Sequence, residues 1–193
     1  MTRHVFFITH PDVLIDPAVP VPDWPLSERG RERMRSVPRQ PWASRLRSLF
    51  CSTERKARDG AAILAEALRL PVTVLKELGE NDRSSTGYLP KLEFESVADA
   101  FFARPQESVR GWERAIDAQH RIVAAVDEVL RRAPAEGDMG IVSHGAVGAL
   151  LLCHLQGRPI SRAADQPSGQ GGHYYAFTAD RRLLHGWCSI DQS

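Results

Sequence analysis

The sequence predicts an α/β domain with a mainly parallel sheet, on three observations. Val5-Phe6-Phe7-Ile8-Thr9 is a short, bulky apolar run that stops at His10-Pro11. Met139-Gly140-Ile141-Val142-Ser143 is a second such run, stopping at His144-Gly145. Apolar runs of this length bounded by turn signals read as buried central strands. The third observation is helical striping between strands, as in Ala57, Ala61, Leu64 and Leu68.

The elements follow in chain order. Pro11 cannot donate a ladder hydrogen bond and holds His10 extended, so the first strand ends there. Residues 11–25 carry Pro11, Pro17, Pro20, Pro22 and Pro25 among aspartates, the composition of an extended surface loop expected to cross near the site. Ser27 offers an N-cap for a helix to about Ser36. Arg45 to Cys51 is the second strand; Ser52 or Thr53 caps a helix to about Leu68, and Pro71 to Leu75 is the third strand. Residues 79–90 form a polar, glycine-containing loop of a length that is often functional. A helix over Phe94 to Phe102 breaks at Arg104-Pro105. A long helix from about Ser108 to Arg132 then turns Trp112, Ile116, Ile122, Val123, Val126 and Val129 inward. Ala146 to Leu155 is a small-residue helix after the second histidine strand. Gly169, Gly171 and Gly172 make a turn before the strand His173 to Thr178, and Leu183 to Cys188 pairs with it as a hairpin.

With 193 residues, 42% of them hydrophobic, the chain 1–193 reads as one domain with a substantial core. A formal charge of +1 gives no electrostatic case for nucleic acid or an acidic membrane. No apolar run approaches the ~20 residues that span a bilayer, and the stretch before the first strand is too short for a signal peptide. Three cysteines (Cys51, Cys153, Cys188) without paired spacing point to a reducing cytoplasm. The glycines match neither a P-loop nor a dinucleotide fingerprint, and the seven histidines lack the helical zinc spacing, so no cofactor and no metal is expected.

Two imidazoles thus leave the carboxyl ends of buried strands, where open α/β sheets bind ligands. If the strands are neighbours, His10 and His144 face each other across one crevice. One histidine in such a place reads as structural; two in the same unusual position reverse that reading.

At this pair the sequence resembles the histidine phosphatase superfamily, the phosphoglycerate mutase-like proteins. Pro25-Leu26-Ser27-Glu28-Arg29-Gly30 is similar to the family's "PLTELG" segment, and Cys51-Ser52-Thr53-Glu54-Arg55-Lys56-Ala57-Arg58-Asp59-Gly60-Ala61 to its "SSPLxRARQTA". Leu78-Gly79-Glu80 resembles "LxE", Glu107-Ser108 resembles "GES", and Ser143-His144-Gly145 the second histidine motif. The resemblance runs from the first strand to about residue 155. It implies a three-layer α/β/α sandwich, a phosphohistidine formed at His10, a hydrogen bond from His144 to the transferring phosphoryl group, and Glu80 as proton donor to the leaving oxygen. It also implies a small phosphorylated molecule or inorganic phosphate as ligand.

The departures lie at the phosphate grip. The family's first motif is Arg-His-Gly, where this chain has Thr9-His10-Pro11, and Lys56 stands at the second arginine with Arg55 beside it. Thr9 brings a hydroxyl and no charge. Lys56 keeps a charge but not the bidentate fork, and Arg83 in the 79–90 loop is a candidate substitute. The leading expectation is a phosphomonoester hydrolase. The competing one is a degenerate family member that binds a phosphorylated ligand or a protein partner without turnover.

Overall fold

The computed structural model describes residues 2–167 and 169–191. Its strands are β1 (His4–Thr9), β2 (Leu46–Cys51), β3 (Val72–Val74), β4 (Asp138–Ser143), β5 (His173–Thr178) and β6 (Leu183–Ser189), joined in one sheet in the order β3-β2-β4-β1-β5-β6. β1 to β4 are parallel, β5 runs antiparallel to β1, and β6 closes the edge as a hairpin partner of β5. The helices are α1 (Glu28–Met34), α2 (Arg55–Leu68), α3 (Lys91–Ala103), α4 (Ala115–Arg132) and α5 (Gly145–Leu155).

Strand pleating sends alternate residues of β1 to opposite faces. Phe6 and Ile8 join one buried cluster with Met34 of α1 and Ala57, Ala61 and Leu64 of α2. Val5 and Phe7 join the other with Phe101 of α3, Ile122 and Val126 of α4, and Leu150 of α5. Helices cover both faces, which is why residues 5–8 of β1 and 139–142 of β4 run without polar side chains instead of alternating. Each fully buried side chain such as Phe7 or Leu64 contributes roughly 1.5–3 kcal/mol. The three-layer sandwich is the expected one.

Local chemistry sets the element ends. Ser27 caps α1 by accepting the Gly30 amide at 3.1 Å. At α2 the cap position falls to Glu54, not to Ser52 or Thr53; Ser52 Oγ accepts the Glu54 amide from outside the helix at 3.2 Å. The long helix begins at Ala115 and not near Ser108. Residues Val109–Gly111 form a separate 3-10 turn in which Arg110 and Gly111 have φ of 53° and 80°. The Ser108 hydroxyl donates to the Trp112 carbonyl at 2.7 Å, and the Glu113 amide to the Asp82 carbonyl at 2.9 Å, which ties this segment to the 79–90 loop.

Candidate active site

The register of the central strands builds the site. Thr9 of β1 lies opposite Ser143 of β4, so the next residue of each strand leaves the same edge of the sheet side by side. The His10 amide donates to the Ser143 carbonyl at 3.1 Å, and the His10 and His144 rings meet edge to face with centroids 5.1 Å apart.

His10 Nδ1 lies 3.0 Å from the Pro11 carbonyl oxygen. A carbonyl only accepts, so Nδ1 carries the hydrogen. Burial, reinforced by Lys56, lowers the ring's pKa to about 4, against the opposing influence of the Pro11 bond and Glu54. At neutral pH the imidazole is therefore neutral with its Nε2 lone pair unprotonated. The 171–172 turn fixes the backbone behind it: the Gly172 amide donates to the His10 carbonyl at 3.3 Å, and a Cβ on Gly171 (φ 64°) would fall 2.0 Å from that oxygen.

His144 is fully buried. Its Nε2 is hydrogen-bonded with Ser52 Oγ at 2.7 Å and lies 3.3 Å from Glu54 Oε1. Its Nδ1 is buried with no hydrogen-bond partner among the described residues. Burial lowers its pKa well below the ordinary value.

Glu80 sits at the head of α5, its carboxylate accepting the Ala146 amide at 3.2 Å and the Val147 amide at 3.1 Å. A helix N-terminus favours an anion there. Burial nevertheless raises the Glu80 carboxyl above its ordinary value, with the Glu54 charge adding to the rise and Arg83 and the two amides opposing it.

The candidate phosphate-binding residues are not placed alike. Lys56 is buried, donating to the Val21 carbonyl at 2.8 Å and pairing with Glu54 Oε2 at 2.5 Å; it ties the proline-rich loop to the floor of the site. With Glu54 as the cap, it stands second in α2. Its neighbour Arg55 is exposed and lines a different cavity of about 540 Å³, with Arg58, Asp23 and Asp59. The Thr9 hydroxyl is taken up within the fold: it lies 2.7 Å from Gln166 Oε1 and 3.2 Å from the His173 carbonyl, and accepts the His173 amide at 3.0 Å. The Arg83 guanidinium lies over the Phe94 and Trp112 rings, 5.2 and 5.6 Å from their centres, and makes no hydrogen bond or ion pair among the described residues. Its charge acts on His10, His144 and Glu80.

Four participants went unnoticed in the sequence. Ser52 and Glu54 hold His144. Gln166 reaches to the head of α5, its Nε2 2.6 Å from where a Cβ on Gly145 would stand, so a larger residue there would displace the Gln166 side chain. Asn81 is buried with its Nδ2 unpartnered. Glu54, Glu80, Asn81 and Arg83 share the wall of a cavity of about 860 Å³ that opens between residues 20–22 and 79–87. Among the described residues no three His, Cys, Asp or Glu side chains are grouped to hold a metal ion, and no helix is long and apolar enough to cross a membrane.

Parallel strands thus bring two histidines together at one edge of a three-layer α/β/α sandwich. The chain belongs to the histidine phosphatase superfamily (branch 1), whose model matches residues 18–181. That match begins after Thr9-His10-Pro11, so it does not bear on the first motif. Among curated proteins no sequence matches significantly. Solved structures with the same fold include mycobacterial glucosyl-3-phosphoglycerate phosphatase in complex with inorganic phosphate, at 20% identity and a TM-score of 0.80, covering 99% of this chain and 100% of that one. Others are Bacillus stearothermophilus YhfR (22% identity, TM-score 0.78, 99% and 98% covered) and mycobacterial hydrolase 2 (19%, 0.76, 92% and 82%).

Proposed function

We propose that this chain hydrolyses phosphomonoesters through a phosphohistidine at His10. The observation that carries the reading is the state of His10: neutral, with Nδ1 anchored on the Pro11 carbonyl and Nε2 bearing a lone pair beside a second buried imidazole. Nε2 attacks phosphorus, and the bond from phosphorus to the leaving oxygen breaks. Glu80, whose carboxyl burial raises above its ordinary value, gives that oxygen its proton. Water then attacks the phosphohistidine, the P–N bond breaks, Glu80 takes the water's proton, and phosphate leaves. Ser52 donating to His144 Nε2 leaves the hydrogen on Nδ1, where it can meet a phosphoryl oxygen. Arg83 and Lys56 supply positive charge, and phosphoryl transfer depends mainly on such positioning and charge stabilisation.

Binding without turnover is the second reading, and one observation favours it: the Thr9 hydroxyl is spent within the fold. Turnover of an aryl phosphate separates the two. We expect hydrolysis by the wild type and none above background by His10→Ala at an unchanged thermal midpoint. The pH profile of kcat/KM should fall on the acid side near pH 4 as Nε2 is protonated, and on the alkaline side as Glu80 loses its proton. An active His10→Ala removes the phosphohistidine, and an inactive wild type that still binds phosphate establishes the second reading.

A further inference from the structure

We propose that Glu54 is a specificity-determining residue: its carboxylate stands as a built-in anion in the phosphoryl cradle, so the site takes a phosphoryl group as the monoanion. The inference rests on the phosphatase reading and deepens it. Two donors converge on Glu54, both of kinds that grip a phosphate oxygen, and the His144 ring lies beside them. Lys56 Nζ is 2.5 Å from Oε2, the Glu80 amide donates to Oε1 at 2.8 Å, and His144 Nε2 is 3.3 Å from Oε1. In the segment compared with "SSPLxRARQTA", Glu54 falls at the leucine, so the acid is an addition to the pattern.

The charges around it leave little for a dianion. Lys56 on α2 is buried and balanced by Glu54 itself. On the 79–90 loop, Arg83 is unpaired while Glu80 adds a carboxylate and fills the head of α5. Arg121 of α4 is bound to Glu113 and to the carbonyls of Glu77, Gly79 and Glu80. His10 after β1 and His144 after β4 are neutral. Burial alone would raise the Glu54 carboxyl, but the Lys56 charge and the hydrogen bonds from Lys56 and the Glu80 amide outweigh it and hold the group ionised. A phosphoryl dianion would meet this carboxylate across one shared ammonium. A proton held between the two, on Glu54 or on the phosphoryl oxygen, converts like-charge repulsion into a hydrogen bond. The complex then holds one proton more than its parts.

Inorganic sulfate tests this, since it stays a dianion across the range in which phosphate titrates. Its affinity for the wild type, measured by calorimetry between about pH 5.5 and 8, should fall about tenfold per pH unit, the slope of one linked proton. Glu54→Gln, which keeps the acceptor for the Glu80 amide, should bind sulfate at least about tenfold tighter at the alkaline end and lose the slope. Glu54→Leu removes the charge with the residue of the family pattern and should do the same. A flat wild-type slope overturns the inference without any variant. A slope that persists in either variant places the proton on an imidazole and overturns it too, as does weaker or unchanged binding by both. If the wild type turns over an aryl phosphate while these tests fail, only the role of Glu54 falls. If it neither binds phosphate nor turns over, the phosphatase reading falls first.

Discussion

The ends of β1 and β4 present the same sequence grammar, a hydroxyl residue followed by a histidine, in register on adjacent strands. Their surroundings differ in kind. His10 is oriented by a main-chain carbonyl of its own loop, Pro11, and its carbonyl is clasped by the glycine turn at 171–172. His144 is oriented by side chains, Ser52 and Glu54, that come from β2's end and the start of α2. The hydroxyls diverge as well: Ser143 donates to the Leu78 carbonyl at 2.7 Å, tying β4 to the approach of the Glu80 loop, whereas Thr9 is bonded towards β5 and Gln166. An imidazole held by backbone keeps its tautomer through side-chain change. One held by side chains can be tuned by them, and the charged additions to this site cluster around the tunable one.

The hardest strain on that contrast comes at Thr9. An arginine there would meet phosphate only if the position faced the crevice. Thr9 is fully buried between β5 and Gln166, so Thr9→Arg must place a charge and extra volume inside the fold. Overpacking with an unpaired buried charge costs about 3 kcal/mol or more. The thermal midpoint should drop by about 6–12 °C, at roughly 2–4 °C per kcal/mol for a chain of this size, with no gain in phosphate affinity. A stable variant that binds phosphate more tightly would show that the β1 end is as adaptable as the β4 end.

This expectation reverses the one the motif alone suggests, and the reason shows which parts of the site were legible. Apolar runs broken by His-Pro and His-Gly located both strands, their shared edge and the facing imidazoles, because burial on both faces leaves a local imprint. Side-chain direction at a strand end is set by tertiary neighbours: Gln166 and His173 are more than 150 residues from Thr9. Glu54 reads in sequence as an ordinary polar residue at a helix start; its weight comes from burial against Lys56 and His144. The break before α4 was hidden because Val109, Trp112 and Ile116 keep helical spacing through a turn whose left-handed residues, Arg110 and Gly111, interrupt the helix.

The next test separates two neighbours on α2. Lys56→Met removes the buried ammonium and leaves Glu54 as an uncompensated charge in the crevice, so phosphate and vanadate affinity should fall by about tenfold or more, from the ~1.5–3 kcal/mol of a charge-assisted contact. Arg55→Met, exposed on the wall of the other cavity, should stay within roughly twofold, as is usual for a solvent-screened charge. Equal losses in the two variants would mean that α2 contributes a general field and not a positioned cation.

The smallest effect bears most directly on the contrast. Ser52 is fully buried, accepts the Glu54 amide and is bonded to His144 Nε2. Ser52→Ala deletes the group that sets the His144 tautomer while leaving His10, Lys56 and Glu80 in place. One neutral hydrogen bond contributes about 0.5–1.5 kcal/mol, so kcat/KM on an aryl phosphate should fall by about 2–10-fold. Ser52→Thr, which keeps the hydroxyl, should recover most of that loss, a rescue that packing alone does not explain because threonine adds a methyl group to a buried position. The His10 side has no counterpart to this experiment, since no side-chain substitution deletes the Pro11 carbonyl. If Ser52→Ala leaves kcat/KM untouched, Glu54 alone suffices to hold His144, and the tuning of the second histidine is electrostatic and owes nothing to the hydroxyl.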